Sequence, residues 1–185
     1  MNKSLILLAA ALLVLCLACK KKTKELTNVD EDIPYSEEIA FPFGFGPGGI
    51  PLPADTTASF DTVLLTNYKT YLAQYNTNES KVIHVKMKSL SMQVTAPPSQ
   101  NLDFIDTVKV YLFGPTLPLK LVAYKTPVPN GVKIVDMDIV DQNIKEYFLQ
   151  DTLHVRLVGR INGLPASGTN VKLSTTFNLL ANPLN

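Results

Sequence analysis

Alternation with a period of two, repeated in short runs, is the feature that most limits what this chain can fold into. Val171, Leu173, Thr175, Phe177 and Leu179 alternate with Lys172, Ser174, Thr176 and Asn178. Successive side chains of a strand point to opposite faces, so such a run has one apolar and one wet face. Ile83, Val85 and Met87 alternate in the same way with His84, Lys86 and Lys88. The phase then flips, and Leu90, Met92 and Val94 become the apolar set. A flip inside one long strand predicts a β-bulge.

Further runs are Val108, Val110 and Leu112, then Leu119, Leu121 and Ala123, then Val132 and Ile134. Leu153, Val155 and Leu157 form another, extended by Val158 to Ile161. Pro97-Pro98, Pro129-Asn130-Gly131 and Asn162-Gly163-Leu164-Pro165 interrupt them with turn chemistry. Short strands between such turns, each with one buried face, predict a mainly β domain over about 55–185. Its expected form is an antiparallel two-sheet sandwich with one or two short helices.

One helix is expected over about 67–76. Phe60, Val63, Leu64, Tyr68, Tyr71, Leu72 and Tyr75 recur at spacings of three and four, as on one amphipathic face. Thr66 or Asn67 could equally cap a shorter helix, leaving 58–65 as a strand. A second short helix is expected after Asp141 as its cap, with Ile144, Tyr147 and Phe148 turned inward.

The N-terminus is of another kind. Met1-Asn2-Lys3-Ser4 precedes an apolar run from Leu5 to Ala18. One positive charge, a short apolar core and a small residue before a cut are the marks of a secretory signal. The run falls short of the roughly 20 residues that span a bilayer. Cys16-Leu17-Ala18-Cys19 resembles the lipobox of bacterial lipoproteins, with Cys16 where leucine is usual. The resemblance implies cleavage after residue 18, a diacylglyceryl group on the Cys19 sulfur, and attachment to the cell envelope. The strand pattern also resembles that of small immunoglobulin-like β-sandwich lipoproteins, without a motif that names a family.

Residues 19–54 read as a lipidated cysteine followed by a spacer. Lys20, Lys21, Lys22 and Lys24 come first, and Glu25, Asp30, Glu31, Asp32, Glu37 and Glu38 follow. From Lys20 to about Ala40 the segment shows no periodicity and little to bury, so a flexible tether is expected. Its lysines are also suited to anionic head groups. Phe41-Pro42-Phe43-Gly44-Phe45 and the Gly/Pro-rich residues after it cannot be regular helix. Phe41, Phe43 and Phe45 either pack on the domain or contact a partner.

Composition excludes several classes. Removing residues 1–18 takes Lys3 with it and leaves 16 basic against 16 acidic side chains. There is no basic excess for nucleic acid. The cysteines are Cys16 and Cys19, so the domain has no internal disulfide and relies on core burial. His84 and His154 sit in predicted strands, without the short spacing or cysteines of a zinc site. Ser167-Gly168 reads as turn chemistry, with no nucleophile elbow around it. Asp136 and Asp138, two apart on a strand, would share a face and could hold a cation, although strand-end polarity explains them as well. Arg156 and Arg160 would share another face, with Lys172 nearby.

The expected function is therefore that of a membrane-anchored, non-catalytic binding or scaffolding module. Its partners would be the membrane, through Cys19, and another envelope protein, with no cofactor. The alternative is a carrier of an apolar ligand between helix and sheet, with Tyr68, Tyr71 and Tyr75 along one wall.

Overall fold

The computed structural model describes residues 28–40 and 55–182. Cys19, the signal segment and Phe41, Phe43 and Phe45 lie outside the described residues. Within them the chain forms two antiparallel sheets packed face to face. In chain order the strands are β1 (Val29–Ala40), β2 (Thr56–Leu65), β3 (Val82–Ala96), β4 (Ile105–Phe113), β5 (Lys120–Lys125), β6 (Ile134–Asp136), β7 (Asp138–Ile139), β8 (Thr152–Ile161) and β9 (Asn170–Ala181). The first sheet has the order β1-β9-β3-β6 and the second β2-β8-β4-β5-β7. Two helices complete the fold: α1 (Tyr68–Gln74) and α2 (Lys145–Phe148).

The alternation of β9 runs as expected, with Val171, Leu173, Thr175, Phe177 and Leu179 inward and buried. In β3 the phase flip coincides with a register shift between Met87 and Ser89 against β9. A second shift, between Val82 and His84, leaves Val82 buried and turns Ile83 out. In β5 a shift opposite Val110 and Tyr111 buries both Val122 and Ala123, while Leu119 is exposed before the strand.

The N-terminal boundary needs correction. The domain begins at Val29 rather than Asp55, because the acidic segment supplies β1. All twelve residues of β1 pair with β9, from Val29 opposite Ala181 to Ala40 opposite Asn170. Ile33 and Ile39 are buried, and Val29 and Tyr35 pack against the core from the same face. Asp30, Asp32 and Glu38 point outward, where Asp32 pairs with Lys88 and Glu38 accepts from Thr95 Oγ1 at 2.7 Å. Pro34 is tolerated because β1 is an edge strand.

Of the two readings of 58–65, the strand holds: Phe60, Val63 and Leu64 belong to β2, paired along its length with β8. Ala58, Phe60 and Leu64 pack on the core, and Val63 and Leu65 face out. Helix α1 starts only after Asn67, whose left-handed backbone (φ 51°) turns the chain out of the strand. Asparagine tolerates that region better than most residues. Before α2 the N-cap position is held by Ile144 rather than Asp141, with no side-chain cap bond, while Asn143 Oδ1 accepts Lys145 N at 3.0 Å. Asp141 instead pairs with Lys86 at 2.7 Å. Ile144, Tyr147 and Phe148 are buried as expected.

A strand that contributes core side chains must carry stability. Ile33→Ala is expected to lower the unfolding free energy by about 2–4 kcal/mol, whereas the exposed-face change Lys172→Ala should leave it within about 0.5 kcal/mol. Urea denaturation of the chain from residue 20 onward measures both, and an Ile33→Ala midpoint equal to the parent would mean that β1 adds nothing to the fold.

Candidate functional site

The two long edge strands, β1 of one sheet and β2 of the other, flank the same open side of the sandwich. Between them lies a cleft of about 460 Å³, lined by Pro34 to Glu37 of β1, Val63 to Leu65 of β2, and Asn67 and Tyr71. Tyr35 and Tyr71 meet at its base with ring centroids 6.4 Å apart. Tyr35 also meets Phe177 edge-on at 5.5 Å and Phe148 at 6.1 Å. Aromatic pairs favour this edge-to-face arrangement.

Thr66 holds the base together. Its carbonyl accepts from the Tyr35 hydroxyl, its backbone N–H donates to Asp151 O at 3.2 Å, and its Oγ1 donates to Gln150 O at 2.6 Å. Burial, with Tyr71 alongside, pushes the Tyr35 phenol well above its ordinary pKa. The cleft is mixed in character. Leu64, Tyr35 and Tyr71 supply apolar surface, and Ser36, Glu37 and Asn67 supply polar groups.

Of the three tyrosines expected to line a ligand wall, Tyr71 lines this cleft. Tyr68 is buried on another side of α1 and donates to Glu79 Oε1 at 2.7 Å. Its phenol pKa is raised by burial first and by Glu79 second. Tyr75 follows the helix and lies exposed beside Glu31. Tyr35 was not among the expected site residues. Its place two residues after Ile33 and four before Ile39 is the signal that marks it as inward-facing.

A comparison with protein-family models and with curated proteins finds no match for this chain.

The remaining candidates are dispersed. Asp136 and Asp138 do not share a face, because the chain passes from the first sheet to the second around buried Met137. Asp138 pairs with Lys125 at 3.2 Å. Among the described residues, no three His, Cys, Asp or Glu side chains gather as metal ligands would. His154 lies on the outer face of the second sheet, against Phe113 at 5.3 Å and with Nε2 3.3 Å from Thr152 Oγ1. Ser167 precedes Gly168, whose φ of 76° makes the turn into β9.

Arg156 and Arg160 do share the outer face of β8, but Lys172 faces out from the other sheet. Both arginines are neutralised. Arg156 grips Asp61 through Nε and Nη2, each at 2.7 Å, and holds that carboxyl below its ordinary pKa. Its guanidinium also lies over the Phe113 ring at 5.0 Å. Arg160 pairs with Asp55 at 2.8 Å.

Tyr35 makes the cleft's stability sensitive to alkali. Its folded pKa lies above the unfolded phenol value of about 10. Stability is therefore fully present below that pH and falls as pH rises through the folded pKa, because the unfolded chain ionises first. Tyr35→Phe is expected to cost about 1 kcal/mol at pH 8 and to flatten the decline above pH 10. Urea midpoints measured across that range would show it, and a decline unchanged in the variant would assign the alkaline sensitivity to other groups.

Proposed function

We propose that this chain is a bacterial envelope lipoprotein, acylated at Cys19, whose β-sandwich is a non-catalytic binding module. The lipobox-like Cys16-Leu17-Ala18-Cys19 supports the anchor. Two or more acyl chains give stable attachment, with the outer membrane facing the periplasm as the proposed site. The cleft between β1 and β2 supports binding. Among the described residues β1 pairs only with β9 and β2 only with β8, so each strand keeps one unpaired edge. Unpaired edges are templates for an added strand. The proposed occupant is an extended segment of another envelope protein. Its backbone would meet a strand edge, and its alternate side chains would reach Leu64, Tyr35 and Tyr71.

A carrier of an apolar ligand is the second reading. The cleft exceeds the roughly 300 Å³ a small ligand needs, and Tyr71 lines it as expected. Glu37, Ser36 and Asn67 favour a peptide backbone over a lipid chain, since a buried polar group needs a partner.

Random extended peptides displayed on phage and selected against the mature chain test the first reading. Binders should carry alternating apolar residues and lose at least tenfold affinity to Leu64→Lys, with Lys172→Ala unaffected. Native mass spectrometry of the mature chain from envelopes is the counter-test. A reproducible extra mass in the lipid range, lost in Leu64→Lys, would overturn the peptide reading in favour of the carrier. For the anchor, Cys19→Ala should leave an unprocessed precursor that takes up no labelled fatty acid, and continued labelling would remove it.

A further inference from the structure

Eight large apolar side chains are exposed on the described surface. They are Val63, Leu65, Tyr75, Ile83, Leu119, Tyr124, Ile134 and Leu164. Tyr75, Ile83 and Leu119 lie at one pole of the sandwich, where α1 ends and β3 and β5 begin, whereas Val63 and Leu65 line the cleft beside the middle of β1. That same pole holds Val29, the first residue of β1, opposite Ala181. Ile83 is 50% exposed and Leu119 49%.

The segments carrying these side chains are bonded into one surface. Asn182 N donates to Lys81 O at 2.9 Å, and Lys145 Nζ donates to the Val82 carbonyl. Tyr147, from the same helix as Lys145, donates to Pro118 O at 2.8 Å. Thr66 donates to Gln150 O at 2.6 Å, and Glu31 of β1 lies against Tyr75. The pole thus presents its apolar side chains on a braced frame rather than on separate loops.

We infer that this pole is a membrane-contacting surface, which seats Tyr75, Ile83 and Leu119 among the head groups and upper acyl chains of an anionic bilayer. The inference rests on the lipid anchor proposed above. Val29 follows Cys19 by ten residues, which even fully stretched span no more than about 35 Å. The twelve residues of β1 are themselves about 36 Å long from first to last. Standing the sandwich on its opposite pole would lift Val29 to the limit of that reach before the 162–169 turn at that pole is counted. The pole that receives the chain is therefore the one brought to the lipid. Lys20, Lys21, Lys22 and Lys24 add attraction to anionic head groups. An amphipathic tyrosine such as Tyr75 suits the interface between head groups and water.

The chain contains no tryptophan, so a single introduced one is a clean depth probe. Acylated Ile83→Trp, Leu119→Trp and Leu164→Trp would each be reconstituted in phosphatidylethanolamine/phosphatidylglycerol vesicles with brominated acyl chains. All three positions are exposed, so the fold should accept the larger ring. Ile83→Trp and Leu119→Trp are expected to lose at least half their emission and shift to the blue, while Leu164→Trp at the opposite pole is unchanged. Protein that floats with the vesicles but shows no quenching at Ile83→Trp and Leu119→Trp overturns the contact and leaves the anchor standing. Equal quenching at Leu164→Trp overturns it in favour of a sandwich lying on its side. Failure to float removes the anchor and the contact together.

Discussion

The structure turns on the packing of Tyr35 against Phe177, Phe148 and Tyr71. These four rings come from β1, β9, α2 and α1, elements far apart in sequence. Phe148 and Phe177 are almost wholly buried and meet at 5.2 Å. The Tyr35 hydroxyl reaches past them to the Thr66 carbonyl, which links the edge of one sheet to the end of the other. A domain with no disulfide has only such contacts to close its open side. The cleft exists because the closure is local: β1 and β2 are joined at Tyr35 and Thr66 and stay apart beside it.

Most of the sandwich was legible because its strands obey one rule. In β8 and β9 nearly every inward position is apolar and nearly every outward one is polar, and the bulge in β3 announced itself as a change of phase. Two elements broke the rule for physical reasons. In β2 the outward residues Val63 and Leu65 are apolar as well, so the run 60–65 imitates helical spacing. In β1, Pro34 on the wet face and Glu31 and Glu37 at alternate positions on the inward side hide the sequence Val29, Ile33, Tyr35, Ile39. An edge strand with one solvated face can carry that many carboxylates at little cost, because they stay in water.

The candidate site was less legible than the fold. Helical periodicity put Tyr71, which lines the cleft, on one stripe with Tyr68 and Tyr75, and spacing alone could not separate the three. Their fates were set by tertiary partners, Glu79 for Tyr68 and the helix end for Tyr75. Asp136 and Asp138 show the same limit. Strand periodicity puts them on one face, yet the chain changes sheets between them, and no local pattern records that. Arg156 and Arg160 were correctly placed on one face, but the aspartates that neutralise them come from other strands and loops.

The position of β1 also has a mechanical side. Any pull on the chain before Val29 reaches the domain through this strand, and the other end of the described chain, Asn182, leaves from the same pole. Tension between those two ends would open the ladder between β1 and β9 one bond at a time, like a zip. Tension between Val29 and something held at the opposite pole would load all twelve paired positions at once. The same strand is thus weak to a pull toward Asn182 and strong to one toward a partner held at the far end.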